Sequence, residues 1–196
     1  MPLCYDPPVI GALRQGELLA NVWVHSVSYP SVALADGERA PIDSVVHAYL
    51  FVMSPDCDLD WDFKSRTEMS ATTDLAGNGI IPPHKTMFHV LVCDAYEGEH
   101  IRGPEGLVNS SQQWRRVIEN QELRFHYFPS AVVANQGREV SALCVDFKRS
   151  FGLPVEQLYA GIRMEGVNRV ARVPPIFLQN LIQRYYSFLS RVGIPE

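Results

Sequence analysis

Hydrophobic and polar positions alternate, or merge into short apolar runs, through the first half of the chain, and both patterns are typical of β-strands. The runs GELLANVWVHSVSY, VVHAYLFVMS and MFHVLVCDAY each have strand length. In the first run, Leu18, Val22 and Val24 form a candidate inward-facing set. The second run is apolar at nearly every position, which predicts a strand buried on both faces. The sheet is expected to start after an irregular, proline-containing arm at residues 1–16.

The second half of the chain mixes strands with helices. LRFHYF and EVSALCVDF predict two more strands around a turn near 135–137, which reads Asn-Gln-Gly. NSSQQWRRVIENQ predicts a middle helix that Asn109, Ser110 or Ser111 can cap. LPVEQLYAGI predicts a short helix in which Pro154 suits the first turn.

The C-terminal segment PPIFLQNLIQRYYSFLSRV has the clearest helical pattern in the chain. Pro174 and Pro175 can start this helix, and Gly193 can end it. Its apolar stripe consists of Phe177, Leu181, Tyr185 and Phe188 or Leu189. We predict an amphipathic helix that packs on a β core, and the alternative is that its aromatic stripe is a dimer or partner face.

This order of elements favours an α+β fold with a curved, mainly antiparallel sheet, a middle helix and a long C-terminal helix. We expect a single domain over residues 17–196, with its core at about 17–130 and its C-terminal strands and helices at 131–196. The segment 64–86 contains Gly-Asn-Gly and Pro-Pro, so it is predicted to be a long irregular excursion.

Composition narrows the possible functions. The 196 residues are 46% hydrophobic and carry a net charge of −5, so there is no global basic field to attract nucleic acid. No apolar run approaches the roughly 18 residues of a membrane span, and we expect a cytoplasmic protein with no membrane contact. The four cysteines, at Cys4, Cys57, Cys93 and Cys144, are far apart, which favours reduced thiols. Cys93 and Cys144 lie in apolar runs and are expected in the core.

An acidic run follows the second predicted strand, in LFVMSPDCDLDWD at residues 50–62. Asp56, Asp58 and Asp60 are candidate ligands for Mg²⁺ or Mn²⁺, since these ions prefer oxygen donors. Cys57 in the same run is a candidate redox site. The alternative is a solvated acidic turn in which one aspartate caps the chain. We expect no cofactor unless this run binds a divalent metal.

Arginines outnumber lysines in the second half of the chain, and several lie beside aromatic residues. Such a combination can recognise phosphate or acidic groups, or can pair with the acidic run of the same or another chain. The candidate partner-binding residues are Trp114, Arg115, Arg116, Arg184 and Tyr185.

The segments RQGELLANVWV, HAYLFVMSPDCDL and FHVLVCDAY resemble the beginning of the MazF/PemK toxin family. Gln15, Gly16 and Glu17 match the motif that opens the family's first strand, and 48–54 occupy its second strand. His47 stands where the family carries its catalytic arginine, with Arg39 the nearest arginine. The whole chain, with S-x-D-C-D-L, R-F-H-Y-F-P and L-S-R-V-G-I-P, is also similar to uncharacterised bacterial proteins.

The resemblance implies an SH3-like barrel and a role in toxin–antitoxin, stress or phage-defence systems of bacteria. The favoured hypothesis is a protein-binding or regulatory module built on a degenerate barrel, with a protein partner and possible homodimer formation. The alternative is an endoribonuclease, metal-assisted or metal-independent, acting on RNA. Its catalytic candidates are Asp56, Asp58, Arg39 and His47, with His89 or His126 as further acid–base groups and Arg124 as a further cation. Asp94 falls near the threonine or serine that the family carries after its third strand.

Overall fold

The computed structural model describes residues 6–7, 11–27, 41–71, 86–102, 106–133 and 137–191, with the backbone alone at 27, 68–71 and 99. Several positions named above lie outside the described residues: Cys4, Arg39, the Gly-Asn-Gly at 77–79, the turn residues 135–136 and Gly193.

The described residues form an α+β fold, as the sequence predicts. The strands are β1 (Glu17–Val27), β2 (Ile42–Val52), β3 (His89–Glu97), β4 (Phe125–Phe128), β5 (Ala131–Val132), β6 (Glu139–Val140), β7 (Leu143–Pro154) and β8 (Asn168–Arg172). The helices are α1 (Asp56–Ala71), α2 (Gly98–Ile101), α3 (Ser111–Ile118), α4 (Val155–Arg163) and α5 (Pro175–Leu189). The predicted middle, short and C-terminal helices are therefore confirmed as α3, α4 and α5, and Ser110 caps α3 by accepting a hydrogen bond from the Gln113 backbone N–H.

Six strands form one antiparallel sheet in the order β4-β7-β3-β2-β1-β8. β4 pairs with β7 in the register Phe125 to Asp146, and the short β5–β6 hairpin lies between them in the chain. This arrangement confirms the mainly antiparallel sheet. The sequence does not predict β8, a five-residue edge strand in which only Val170 and Ala171 are apolar.

The two faces of the sheet carry separate apolar clusters, because successive side chains of a strand point to opposite faces. On β2, Phe51 belongs to a cluster that α5 covers with Leu181, while Leu50 belongs to a cluster that α1 and α4 cover with Leu59 and Leu158. We call these the α5 face and the α1/α4 face. The sheet is thus the middle layer between helices.

A third apolar cluster, which we call the α2/α3 cluster, lies where α2 and α3 pack against β4 and β7. It consists of Ile101, Val108, Val117, Phe125 and Cys144, all nearly inaccessible to solvent. Cys93 and Cys144 are both fully buried, which confirms their expected core positions.

The prediction of a turn at the acidic run is wrong, because residues 56–71 form helix α1. The helix follows Pro55 and carries Asp56 and Asp58 in its first turn, where the positive end of the helix dipole favours carboxylates. Its apolar pattern is poor, with Leu59 buried but Trp61 62% exposed, so helical periodicity gave no signal.

The predicted inward set of β1 is only partly correct. Leu18 lies in the α5-face cluster, whereas Val22 and Val24 pack with the α1/α4-face cluster. Asn21, between them, has a left-handed backbone with φ of 58°, and the alternation of side chains changes there. β2 is buried only from residue 50 onward, and its first half is largely exposed.

Candidate functional site

The Gln-Gly-Glu motif at the start of β1 builds a junction between strands and helices. Gly16 donates its backbone N–H to Val52 and accepts from the backbone N–H of Val173. Its φ is +77°, and a Cβ there would lie 2.7 Å from a methyl carbon of Leu178, so only glycine fits without a shift. Gln15 donates its side-chain amide to the carbonyl of Met53 at 2.8 Å. The motif that carries the family resemblance therefore has a structural role here.

Glu17 completes this junction. Its carboxylate is fully buried and receives the guanidinium of Arg169, with one of two contacts at 2.9 Å. Arg169 also donates to the carbonyls of Gly11 and Ala12. Residues 11–16 have no regular structure but are packed against the domain, with Leu13 fully buried.

The aspartates of α1 are held by protein groups to very different degrees. Asp56 accepts from the Gln15 backbone N–H and from Arg172, both at 2.8 Å. Asp60 contacts Lys64 at 2.6 Å and Arg14 at 3.6 Å. The hydrogen bond from Lys64 lowers the pKa of Asp60 below its ordinary value.

Asp62 is the buried member of the run. It is fully inaccessible to solvent, accepts two contacts of 2.9 Å from Arg66 Nε, and accepts the Met87 backbone N–H at 2.8 Å. It thereby fixes α1 to the chain that leads into β3. Asp58 is exposed and accepts a hydrogen bond from the Cys57 thiol at 3.5 Å.

These geometries bear on the metal and redox candidates. Asp56 and Asp60 each face cations of the protein, and no three His, Cys, Asp or Glu side chains within the described residues converge in a metal-ligating group. The prediction of a metal at Asp56, Asp58 and Asp60 gains no support from their positions and stays a prediction. Cys57 is exposed in the first turn of α1, and the described cysteines form no disulfide.

His47 and Asp94, two positions singled out by the family resemblance, meet in the structure. His47 Nδ1 lies 2.5 Å from Asp94 Oδ1, although the residues are 47 positions apart. β2 and β3 are neighbouring strands that pair from Tyr49 to Val52 of β2, and His47 lies two residues beyond this paired stretch. The side chains are 17% and 7% exposed, respectively.

Two further side chains complete this polar group. Tyr96 donates its hydroxyl to Asp94 Oδ2 at 3.1 Å, and Arg149 lies 3.9 Å from the same oxygen. Burial, together with the negative charge of Asp94, raises the pKa of Tyr96 to about 12, so its hydroxyl stays a proton donor at neutral pH. The Arg149 side chain is 56% exposed. We call His47, Asp94, Tyr96 and Arg149 the histidine–aspartate group.

The histidine–aspartate group lies at the boundary between two apolar clusters. On β3, Val92 belongs to the α1/α4-face cluster and Tyr96 packs against the α2/α3 cluster, with Asp94 between them. The ring of Phe151 lies 5.2 Å from that of His47. An imidazole oriented by a carboxylate can exchange a proton with a substrate, and an exposed guanidinium beside that carboxylate can stabilise negative charge.

A second buried carboxylate, that of Asp146, lies on β7, the strand that pairs with β3. Asp146 is fully buried and accepts two hydrogen bonds from Arg124, at 2.8 and 2.6 Å. Arg124, predicted as a cation for the reaction, is thus engaged within the fold. Asp146 also accepts the Lys148 backbone N–H at 3.1 Å, which supports the irregular part of β7.

The other predicted histidines lie elsewhere. His89 is exposed at the start of β3, opposite Pro154. His126 is 5% exposed on β4, and its Nδ1 has no hydrogen-bond partner within the described structure. Burial, reinforced by the charge of Arg184, lowers the pKa of His126 to about 3, so the ring is neutral.

The predicted partner-binding residues divide into two groups. Tyr185 is 5% exposed in the α5-face cluster, and Arg184 donates to backbone carbonyls of Asn120, Glu122 and Phe125, so both have internal contacts. Trp114 packs edge-on against Tyr127 and is partly buried.

Arg115 and Arg116 do lie on the surface, as a partner contact requires. Arg115 pairs with Glu119 at 3.0 Å, and Arg116 lies 3.6 Å from Glu122. Their role in binding a partner stays a prediction.

Comparison with known proteins gave no relative: no family model, no curated protein and no solved structure matches this chain. Among the described helices, none combines the length and the apolar character needed to cross a bilayer.

Proposed function

We propose that this protein is a metal-independent endoribonuclease whose reaction centre is the histidine–aspartate group. The observation that carries the proposal is the 2.5 Å contact between His47 Nδ1 and Asp94 Oδ1 beside the exposed guanidinium of Arg149. RNA is the substrate class because its 2′-hydroxyl supplies an internal nucleophile, which removes the need for a metal-bound water.

In this proposal Asp94 orients the imidazole, and His47 Nε2 accepts the proton of the 2′-hydroxyl. The 2′-oxygen then bonds to the adjacent phosphorus, and the bond from phosphorus to the 5′-oxygen breaks. Arg149 stabilises the charge on the phosphoryl oxygens. The departing 5′-oxygen takes a proton from the imidazolium or from water, which leaves a 2′,3′-cyclic phosphate and a 5′-hydroxyl.

The family resemblance agrees with this proposal in two respects. β1, β2, β3, β7 and β4 are successive antiparallel neighbours, the kind of meander from which an SH3-like barrel would be built. A barrel closed on itself is part of the proposal only, since β4 and β8 are the two ends of the sheet in the described residues. His47 stands where the family places its catalytic arginine, so a toxin-like activity in the bacterial cytoplasm is the corresponding biological role.

The test is incubation of the protein with single-stranded RNA of mixed sequence in the presence of a chelator, with the fragment ends read by mass spectrometry. We expect fragments that end in 2′,3′-cyclic phosphate. His47→Gln should lower the cleavage rate by about 100-fold or more, since a positioned acid–base group contributes about that much. Arg149→Met should lower it by roughly tenfold or more, because it removes only charge stabilisation.

The matched control is His25→Gln. His25 is an exposed histidine of the same strand pair, bonded to Ser44 at 2.7 Å, and its replacement should leave the rate unchanged. Absence of cyclic-phosphate ends with the wild-type protein, or equal rates for wild type and the His47 variant, would contradict the proposal.

A second candidate function, binding of a protein partner, is favoured by the outer half of the β1–β2 pair. Trp23, Val45 and Val46 are 51%, 54% and 45% exposed, and Ile42 is 68% exposed. β3 pairs with β2 only from Tyr49 onward, so within the described residues this two-stranded arm, 21–27 with 42–48, extends past the neighbouring strands. We propose a second copy of the chain as the partner, because strand edges and exposed apolar side chains on one arm can pair with the same arm of another copy in a two-fold contact.

A further inference from the structure

A cavity of about 210 Å³ lies on the α5 face of the sheet, on the opposite side from the histidine–aspartate group. Phe51 and Leu143 come from the sheet, Phe128 from the end of β4, and Ala131 and Val140 from the β5–β6 hairpin. Phe177 and Asn180 of α5, both exposed, also line it and connect it to the surface. The cavity therefore has an apolar interior and an accessible rim.

One buried polar atom of the lining has no hydrogen-bond partner among the described residues. His126 lines the cavity, is 5% exposed, and its Nδ1 forms no hydrogen bond with any described residue. A buried polar atom without a partner is costly, and native proteins rarely retain one without a reason. A ligand in the cavity could supply the missing hydrogen bond.

The described lining also disfavours charged ligands. None of the described residues that line the cavity is an Asp, Glu, Lys or Arg, and His126 itself is neutral. A carboxylate or ammonium would lose its hydration without gaining a counter-charge, which is strongly unfavourable. The side chain of Asn120 is occupied, since its amide bonds both the N–H and the carbonyl of Tyr127.

Aromatic side chains define the shape of the cavity. The rings of Phe51 and Phe128 stack at 5.3 Å, and the ring of His126 lies 4.6 Å from Phe128. A cavity of about 150 Å³ with an apolar lining is large enough to hold benzene. The volume here suits one ring with a substituent or two fused rings.

We propose that this cavity is a binding site for a small neutral aromatic molecule that carries one hydroxyl group, with the hydroxyl bonded to His126 Nδ1. A hydroxyl can donate or accept, so it satisfies Nδ1 in either tautomer of the neutral imidazole. The ring occupies the apolar interior among Phe51, Phe128 and Phe177.

The test is a titration of the isotopically labelled full chain with phenol, followed by amide chemical shifts, with toluene and benzoate as matched probes. Phenol should bind at millimolar concentration and shift amides of β4 and the β5–β6 hairpin. Toluene, which lacks the hydroxyl, should bind about threefold to tenfold more weakly. Benzoate should not bind at this site.

Two variants separate the site from non-specific binding. His126→Leu should bring the affinities for phenol and toluene within about twofold of each other, because it removes the hydrogen-bonding atom and keeps the volume. Ala131→Leu should abolish binding of both by filling the cavity, and thermal melts would establish that each variant is folded.

The proposal is overturned if wild-type protein binds neither phenol nor toluene, if benzoate binds as well as phenol, or if His126→Leu keeps the preference for phenol. His47→Gln should leave phenol binding unchanged, since the two sites lie on opposite faces of the sheet. The ligand site and the ribonuclease are thus tested separately.

Discussion

At the scale of single residues, the aspartates of α1 show how similar side chains in one run acquire different roles. Asp62 is fully buried between Arg66 and the Met87 backbone, while Asp58 is exposed. The sequence offers the same residue type at both positions. Only the packing of α1 against the start of β3 distinguishes them.

We expect Asp62→Asn to lower the free energy of unfolding by about 2–4 kcal/mol, because it removes the charge of a fully buried carboxylate that accepts hydrogen bonds from Arg66 Nε and from the Met87 backbone N–H. Chemical denaturation monitored by circular dichroism measures the change. Asp58→Asn is the matched control and should cost no more than about 1 kcal/mol, the contribution of a carboxylate near a helix N-terminus. Equal losses in the two variants would contradict the assigned contacts.

His126 should make stability depend on pH. Burial, with Arg184 nearby, lowers its pKa from the ordinary 6.5 to about 3, so in acid the unfolded chain binds a proton that the folded chain does not. Stability from this group is full above about pH 6.5 and declines as the pH falls toward 3. Between pH 6.5 and pH 5 the wild type should lose about 1.5 kcal/mol on this account.

The measurement is denaturant unfolding at both pH values for the wild type and His126→Leu. Carboxylates contribute equally to both proteins, so the difference between the two pH slopes isolates the histidine. A variant that loses as much stability as the wild type over this interval would show that His126 titrates normally in the fold.

His47 and Asp94 show which part of the candidate site could be predicted from the sequence. The family resemblance drew attention to both positions, but sequence alone did not pair them. Their contact forms between neighbouring strands, just beyond the paired stretch in which Leu50 lies opposite Asp94. Tyr96 and Arg149 carried no signal in the sequence, because a tyrosine and an arginine on strands are common.

At the scale of elements, α5 was predictable and α1 was not. In α5 the apolar residues Leu178, Leu181, Tyr185 and Phe188 are buried at helical spacing, whereas Phe177 of the predicted stripe is 40% exposed. Such spacing is a property of the sequence that holds wherever the helix packs. α1 lacks that pattern, and in the sequence its first-turn aspartates are equally typical of metal ligands and of turn residues.

Leu181→Ala should lower the free energy of unfolding by about 2–5 kcal/mol. Leu181 is fully buried on the side of α5 that faces the sheet, and its truncation leaves a cavity. Leu189, on the same helix, is 53% exposed. Leu189→Ala should therefore change stability by less than about 1 kcal/mol. Thermal or urea unfolding of the two variants measures the difference, and comparable losses would mean that the opposite side of α5 is also covered.

At the scale of the whole molecule, the two-stranded arm gives the second candidate function its test. If the arm joins two copies of the chain, the wild type should sediment as a dimer at micromolar concentration. Trp23→Ser should shift it toward the monomer by removing the largest exposed side chain of the arm.

Trp61→Ser is the control for this experiment, because Trp61 is 62% exposed on α1, outside the arm. This variant should remain dimeric. A monomeric wild type, or equal dissociation of both variants, would reject the arm as a dimer contact.

The sequence by itself determined the local elements and the fold class. Apolar runs and turn residues located β1, β2, β3, β4 and β7, and caps and helical spacing located α3, α4 and α5, because these signals act between residues close in the chain. Burial of Cys93 and Cys144 followed from their apolar neighbours in the same way.

Tertiary structure alone decided which distant side chains meet. The contact of His47 with Asp94, the burial of Asp62 and the cavity beside His126 each depend on strand register and on helices packed over a sheet. The energy of such contacts comes from excluding water between residues that are far apart in the chain, and no local pattern records that exclusion.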